Sequence, residues 1–108
     1  MATLLFLILV PAMAACASDP CNALCLNVAL GLDECLPGWG LTWEEVGAES
    51  RVDWRVQCQN DWEEVRSGLE ARELPAAEDQ CTDAAGDLDA LQTAEDAGCA
   101  ELRALYLD

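Results

Sequence analysis

At 108 residues the chain has room for one small domain, and its 21 acidic against 5 basic residues give a formal net charge of -16. A field of this sign repels phosphate backbones and anionic headgroups, so the charge excludes nucleic acid as a partner and favours a basic protein. The chain has no histidine and no lysine, which removes Ser/His triads, Schiff bases and mixed Cys/His metal sites, so we expect no catalytic residue, metal or cofactor.

The N-terminal segment is typical of an exported protein. Residues 4–10, LLFLILV, form an apolar core that is too short to span a bilayer, and a patch of small residues, AMAA, follows soon after. Two cleavage sites compete, one before Ala15 with an A-x-A pattern and one before Cys16. The segment predicts a signal peptide over residues 1–15.

Residues 13–16, MAAC, resemble the lipobox of bacterial lipoproteins, in which the cysteine after a small residue is acylated and becomes the mature N-terminus. The resemblance covers residues 1–16 and implies a membrane anchor through a lipid on Cys16. It also implies a short tether over residues 16–19 and a place in the cell envelope, at the outer membrane or facing the periplasm. Cleavage before Ala15 would instead give a secreted protein.

The number of cysteines bears on the same choice. The chain has seven, and if Cys16 carries a lipid the other six can close three disulfides. Such bonds are typical of exported domains of this size, whose cores are small. The sequence alone cannot select the pairing, and we sketch a first helix joined to Cys58 and to one C-terminal cysteine. The disulfide cysteines are Cys21, Cys25, Cys35, Cys58, Cys81 and Cys99.

The first helix begins at Pro20. Ser18 and Asp19 can cap its first amides, and a proline at the first helical position gives up an N–H that has no partner there. Leu36-Pro37-Gly38 is expected to end the helix. Apolar side chains recur at steps of four, three, four and three, which predicts one buried face: Cys21, Cys25, Val28, Leu32 and Cys35.

The next segment predicts a loop with one helical turn. Thr42 and Glu45 have the spacing of a capping box, and Gly47 interrupts the turn. Trp39 and Trp43 lie in this loop and are the candidate binding residues. They either fold over the helices or form an exposed anchor for a partner.

A longer helix is predicted from Ser50 through about Arg72, with Leu74-Pro75 as its stop. Another helix is expected from Ala76. A second capping pattern at Thr93 divides residues 76–107 into two helices. The helix from Ser50 has an apolar stripe of Trp54, Cys58, Trp62, Val65 and Leu69. The apolar positions of the helix from Ala76 are Cys81, Ala84, Leu88 and Leu91. Those of the last helix are Cys99, Leu102, Leu105 and Tyr106.

Residues 79–89, DQCTDAAGDLD, suggest a calcium loop but do not fit one. The EF-hand pattern fails because Cys81 stands where its first aspartate is needed. A solvated acidic helix face is the favoured interpretation.

These patterns predict an all-α fold, a small disulfide-stapled bundle of three to four helices over residues 20–108. We expect an exported, lipid-anchored protein that acts as a non-catalytic interaction or structural module of the envelope. The alternative is a freely secreted acidic helical factor, such as an inhibitor or a signalling polypeptide. A third hypothesis, a small hydrolase that uses carboxylates, is disfavoured by the absence of histidine.

Overall fold

The computed structural model describes residues 19–94, 96 and 98–107. Within these residues the fold is all-α, as predicted, with four α-helices and one short 3-10 helix. The predicted signal peptide, Cys16 and most of the tether lie outside the described residues. In chain order the elements are α1 (Pro20–Trp39), η1 (Glu44–Val46), α2 (Arg51–Ser67), α3 (Leu74–Gln92) and α4 (Cys99–Tyr106).

Helix α1 lies at the centre, and α2, α3 and α4 each pack against it. The predicted stripe of α1 is its buried face. Gly31 has no side chain, and this lets Leu102 of α4 approach closely, since a Cβ at Gly31 would lie 3.0 Å from a Leu102 methyl carbon. The buried core joins three helices through Val28, Leu32, Cys35, Leu88 and Leu102.

The start of α1 is confirmed, whereas its predicted end is wrong. The helix continues through Pro37 to Trp39. Gly40 then adopts a left-handed conformation (φ 70°) and donates to the Pro37 carbonyl, while the amide of Leu41 donates to the Leu36 carbonyl at 3.1 Å. These bonds satisfy the last carbonyls of the helix. Together with the burial of Leu36 they offset the hydrogen bond that Pro37 cannot donate.

Helix α2 is shorter than predicted. Its start is confirmed because the Ser50 hydroxyl accepts from the Asp53 amide at 3.1 Å, but the helix ends at Ser67 rather than Arg72. Gly68 follows, and the chain turns there so that α3 can pack on α1. Leu69 therefore lies in the turn instead of continuing the apolar stripe.

Helices α3 and α4 are separate, as predicted, but both begin elsewhere than expected. Pro75 lies in the first turn of α3 instead of marking a stop before Ala76, because a proline there loses no hydrogen bond. The Thr93 hydroxyl donates to the Ala90 carbonyl at the end of α3 and does not cap α4. Helix α4 begins after Gly98, and the Asp96 carboxylate accepts from the amides of Gly98 and Ala100.

Candidate functional site

Three disulfides join α1 to each of the other helices. Cys25 bonds to Cys58 of α2, in agreement with the predicted link between the first helix and Cys58. The two C-terminal cysteines pair with the remaining cysteines of α1, so Cys21 and Cys25 do not bond to each other. The bonds are Cys21–Cys81, Cys25–Cys58 and Cys35–Cys99, with Cα–Cα distances of 5.1, 5.8 and 5.5 Å.

The bond pattern makes α1 the hub of the fold. Because each bond ties a different helix to α1, no helix is held by packing alone. Bonds of this kind are typical of proteins in an oxidising location, outside the cytoplasm. Within the ranges 19–94 and 98–107, no helix is long and apolar enough to cross a bilayer.

The two candidate binding tryptophans fold over the helices. Trp39 is the last residue of α1, not a loop residue, and both rings are half-buried against the core. The Trp43 indole N–H donates to the Asp33 carboxylate at 3.4 Å. The Arg103 guanidinium lies over the Trp39 ring, 5.7 Å from its centroid. Both rings thus already contact side chains of this chain, Asp33 and Arg103. A binding role for the two rings stays a prediction.

The loop that carries Trp43 is held by the predicted capping box. The Thr42 hydroxyl accepts from the Glu45 amide, and the Glu45 carboxylate accepts from the Thr42 amide, both at 3.3 Å. Beyond η1, the Gln57 side chain of α2 donates to the Gly47 carbonyl at 3.2 Å. The loop therefore joins α1 to α2 as an ordered structure.

The acidic residues lie mainly on solvent-facing sides of the helices. Residues 79–89 lie wholly within α3 and form helix rather than a calcium-binding loop. Among the described residues, no three histidine, cysteine or carboxylate side chains converge as ligands for a metal ion. The structure thus assigns the aspartates of this segment to a helix surface, the interpretation that the sequence favoured.

The described ion pairs are partly exposed and lie mostly around α1 and α2. Arg51 lies 3.9 Å from Asp33, and Arg66 lies 3.6 Å from Asp19. Exposed pairs of this kind contribute little to stability. Helix α3, in contrast, contains five carboxylates and no arginine or lysine: Glu78, Asp79, Asp83, Asp87 and Asp89.

Two depressions on the surface of α3 were not predicted from the sequence. One, of about 230 Å³, lies between α3 and the end of α4. The other, of about 720 Å³, lies between the start of α3 and the end of α2. The lining residues are Ala84, Asp87, Leu88, Leu91, Leu105 and Tyr106 in the first, and Val65, Leu69, Arg72, Glu73, Ala76, Ala77 and Gln80 in the second.

Tyr106 lies beside the first depression, and burial raises the pKa of its phenol above the ordinary value. The predicted apolar stripe of α4 contained a sequence signal for this depression. Leu105 and Tyr106 were assigned to the apolar stripe of α4, yet only Leu102 of that stripe is fully buried and Leu105 is 64% exposed. The apolar stripe of α4 is therefore wider than the core that it covers.

Comparisons with protein-family models, with curated proteins and with solved structures found no match for this chain.

Proposed function

We propose that this protein is an exported, non-catalytic binding or structural module, held at the bacterial cell envelope by a lipid on Cys16. The pairing of the other six cysteines is the observation that carries the proposal. All six bond to one another within the described residues. Cys16 is therefore the seventh cysteine, for which the folded domain offers no partner, and acylation would account for it.

The position of the first helix supports a close attachment to the membrane. Asp19 is fixed by hydrogen bonds to the first turn of α1 and to Trp62 of α2. Cys16 precedes Asp19 by three residues, which reach at most about 11 Å when extended. A lipid on Cys16 would thus hold the domain against the bilayer, with the start of α1 nearest to the headgroups.

The placement of the carboxylates supports a non-catalytic role. Acid–base catalysis by two carboxylates requires unlike environments around one cleft. The aspartates of α3 are instead exposed along a helix surface, and the depression beside Asp87 is small. The geometry fits a scaffold that presents an acidic surface.

The anchor is tested by comparing the wild-type protein with Cys16→Ser in cells of a bacterial host that are labelled with a radioactive fatty acid. We expect label and membrane association in the wild type and the loss of both in Cys16→Ser. Ala17→Ser is the matched control, because it alters the neighbouring residue and keeps the cysteine. Wild-type protein that is unlabelled and recovered in the soluble fraction would instead indicate cleavage before Ala15 and secretion.

A further inference from the structure

One stripe of α3 lies beside the face that packs on α1 through Cys81 and Leu88, and two depressions flank it. Its residues follow one another at steps of three, four, three and four, so they lie on one side of the helix. The larger depression lies along the first two residues of the stripe and the smaller along the last three. We call this surface the α3 groove, and it extends over about 21 Å of helix. The stripe comprises Ala77, Gln80, Ala84, Asp87 and Leu91.

The walls of the α3 groove are apolar side chains from two other elements. Val65, from the end of α2, is 56% exposed beside the larger depression. Leu105 of α4, 64% exposed, stands beside the smaller one, next to Tyr106. The alanines of the stripe leave space between these walls. Two small residues seven positions apart, Ala77 and Ala84, with apolar side chains beside them, suit the side chains of one added helix.

The charge around the α3 groove decides which helix fits. Asp87 and Glu73 line the groove. Arg72 also lines it, but its guanidinium lies 2.8 Å from the Glu70 carboxylate and is neutralised there. A second copy of this chain would bring a formal charge of -16 against another of -16, which opposes self-association. A basic partner is attracted by the same field.

We propose that the α3 groove binds an amphipathic helix of a basic partner protein. The apolar side of that helix packs on Ala77, Ala84 and Leu91. Its lysines or arginines lie opposite Glu73 and Asp87, the carboxylates that line the groove. This inference rests on the proposed binding role and gives that role a surface, which is separate from the predicted pair Trp39 and Trp43.

The probe is a synthetic 18-residue helical peptide with leucines at steps of three and four and lysines beside them. The full chain, exported and purified in its oxidised form, is titrated with this peptide. A second peptide has the same leucines with glutamates in place of the lysines. We expect the lysine peptide to bind and the glutamate peptide not to bind. Equal binding of both peptides, or no binding of either, would overturn the inference.

Two matched substitutions locate the contact. Asp87→Arg and Asp89→Arg change the net charge equally, but Asp87 lines the groove whereas Asp89, two residues on, lies on another side of α3. We expect Asp87→Arg to weaken binding by about tenfold and Asp89→Arg to change it by less than about twofold. Equal losses would show only a general attraction to the acidic surface and would contradict a specific groove.

A third variant, Leu105→Glu, tests whether the groove is occupied by a partner helix or by a second copy of this chain. It should weaken peptide binding without changing helical circular dichroism, because the side chain is mostly exposed. Self-association of the wild type that Leu105→Glu abolishes would assign the groove to a second copy and overturn the proposal. Peptide binding does not involve Cys16. Wild-type protein that takes up no fatty-acid label but binds the peptide therefore refutes the anchor alone, and labelled wild-type protein that does not bind the peptide refutes the groove alone.

Discussion

The carboxylate of Asp19 joins the start of α1 to the last turns of α2 through the indole of Trp62. One carboxylate oxygen accepts from the amides of Cys21 and Asn22, and the other accepts the Trp62 N–H at 3.2 Å. Arg66 lies 3.6 Å from that second oxygen. A single side chain thus caps the central helix and fixes it to its neighbour, three residues after the cysteine that we propose to be acylated.

Asp19→Ala removes both roles of this carboxylate. We expect the free energy of unfolding to fall by about 1 to 2 kcal/mol, because the first amides of α1 lose their cap. Asp19→Asn is the control, since its amide oxygen can still cap the helix. Urea denaturation followed by tryptophan fluorescence measures both variants. Equal losses would show that capping is not the source of the effect.

Two glycines of the C-terminal half should respond to alanine in opposite directions. At Gly98 the backbone is left-handed (φ 71°), and an added Cβ would lie 2.5 Å from the Leu91 Cβ. Gly98→Ala should therefore destabilise the fold by about 1 to 3 kcal/mol. Gly86 lies within α3 with no atom within 4 Å of an added Cβ, so Gly86→Ala should stabilise by about 0.5 to 1 kcal/mol. Thermal denaturation checks the pair, and a Gly98→Ala variant as stable as the wild type would contradict the described α3–α4 connection.

Reduction of the disulfides should unfold the domain. Each bond restricts the unfolded chain and contributes about 2 to 4 kcal/mol, which for a domain of this size is a large share of the total stability. Cys35→Ala with Cys99→Ala opens the widest loop, with 64 residues of separation, and should lower the melting temperature while α2 and α3 remain bonded to α1. Circular dichroism follows both experiments. A helical signal that reductant leaves unchanged would count against this account.

The stability of the fold should decline at alkaline pH through Tyr106. Burial raises its pKa above 10.0, the ordinary value of the phenol, which the unfolded chain retains. The contribution to stability is therefore fully present below the unfolded pKa and is lost as the pH rises through the folded pKa. Tyr106 is the only tyrosine, so the ultraviolet absorbance of tyrosinate reports its titration directly. A native midpoint equal to that of the denatured protein would contradict the partial burial of this phenol, which is 37% exposed.

The sequence predicted the starts of α1 and α2 correctly but not their ends, and the reason is physical. Asp19 and Ser50 cap their helices through hydrogen bonds within a few residues, so the pattern is visible locally. The end of α1 beyond Pro37 depends instead on the burial of Leu36 and the conformation of Gly40. The early end of α2 coincides with Gly68, its C-cap, a local stop signal that the prediction through Arg72 passed over.

The cysteine pairing was predictable in part. The stripe of α1 indicated that its cysteines bond to other helices, and this is confirmed for Cys21, Cys25 and Cys35. Which cysteine of α1 bonds to Cys81 and which to Cys99 depends on the directions of α3 and α4. Those directions cannot be read from the sequence. The α3 groove was missed for a related reason, since its walls come from the ends of two other helices.

The most direct test of the central claim is the mass spectrum of the protein purified from its native envelope, before and after reduction and alkylation, with a digest under non-reducing conditions. We predict a mature chain that begins at Cys16 with an added lipid, six cysteines that are alkylated only after reduction, and linked peptides for Cys21–Cys81, Cys25–Cys58 and Cys35–Cys99. A chain that begins at Ala15 without lipid, and with one cysteine alkylated before reduction, would contradict the claim.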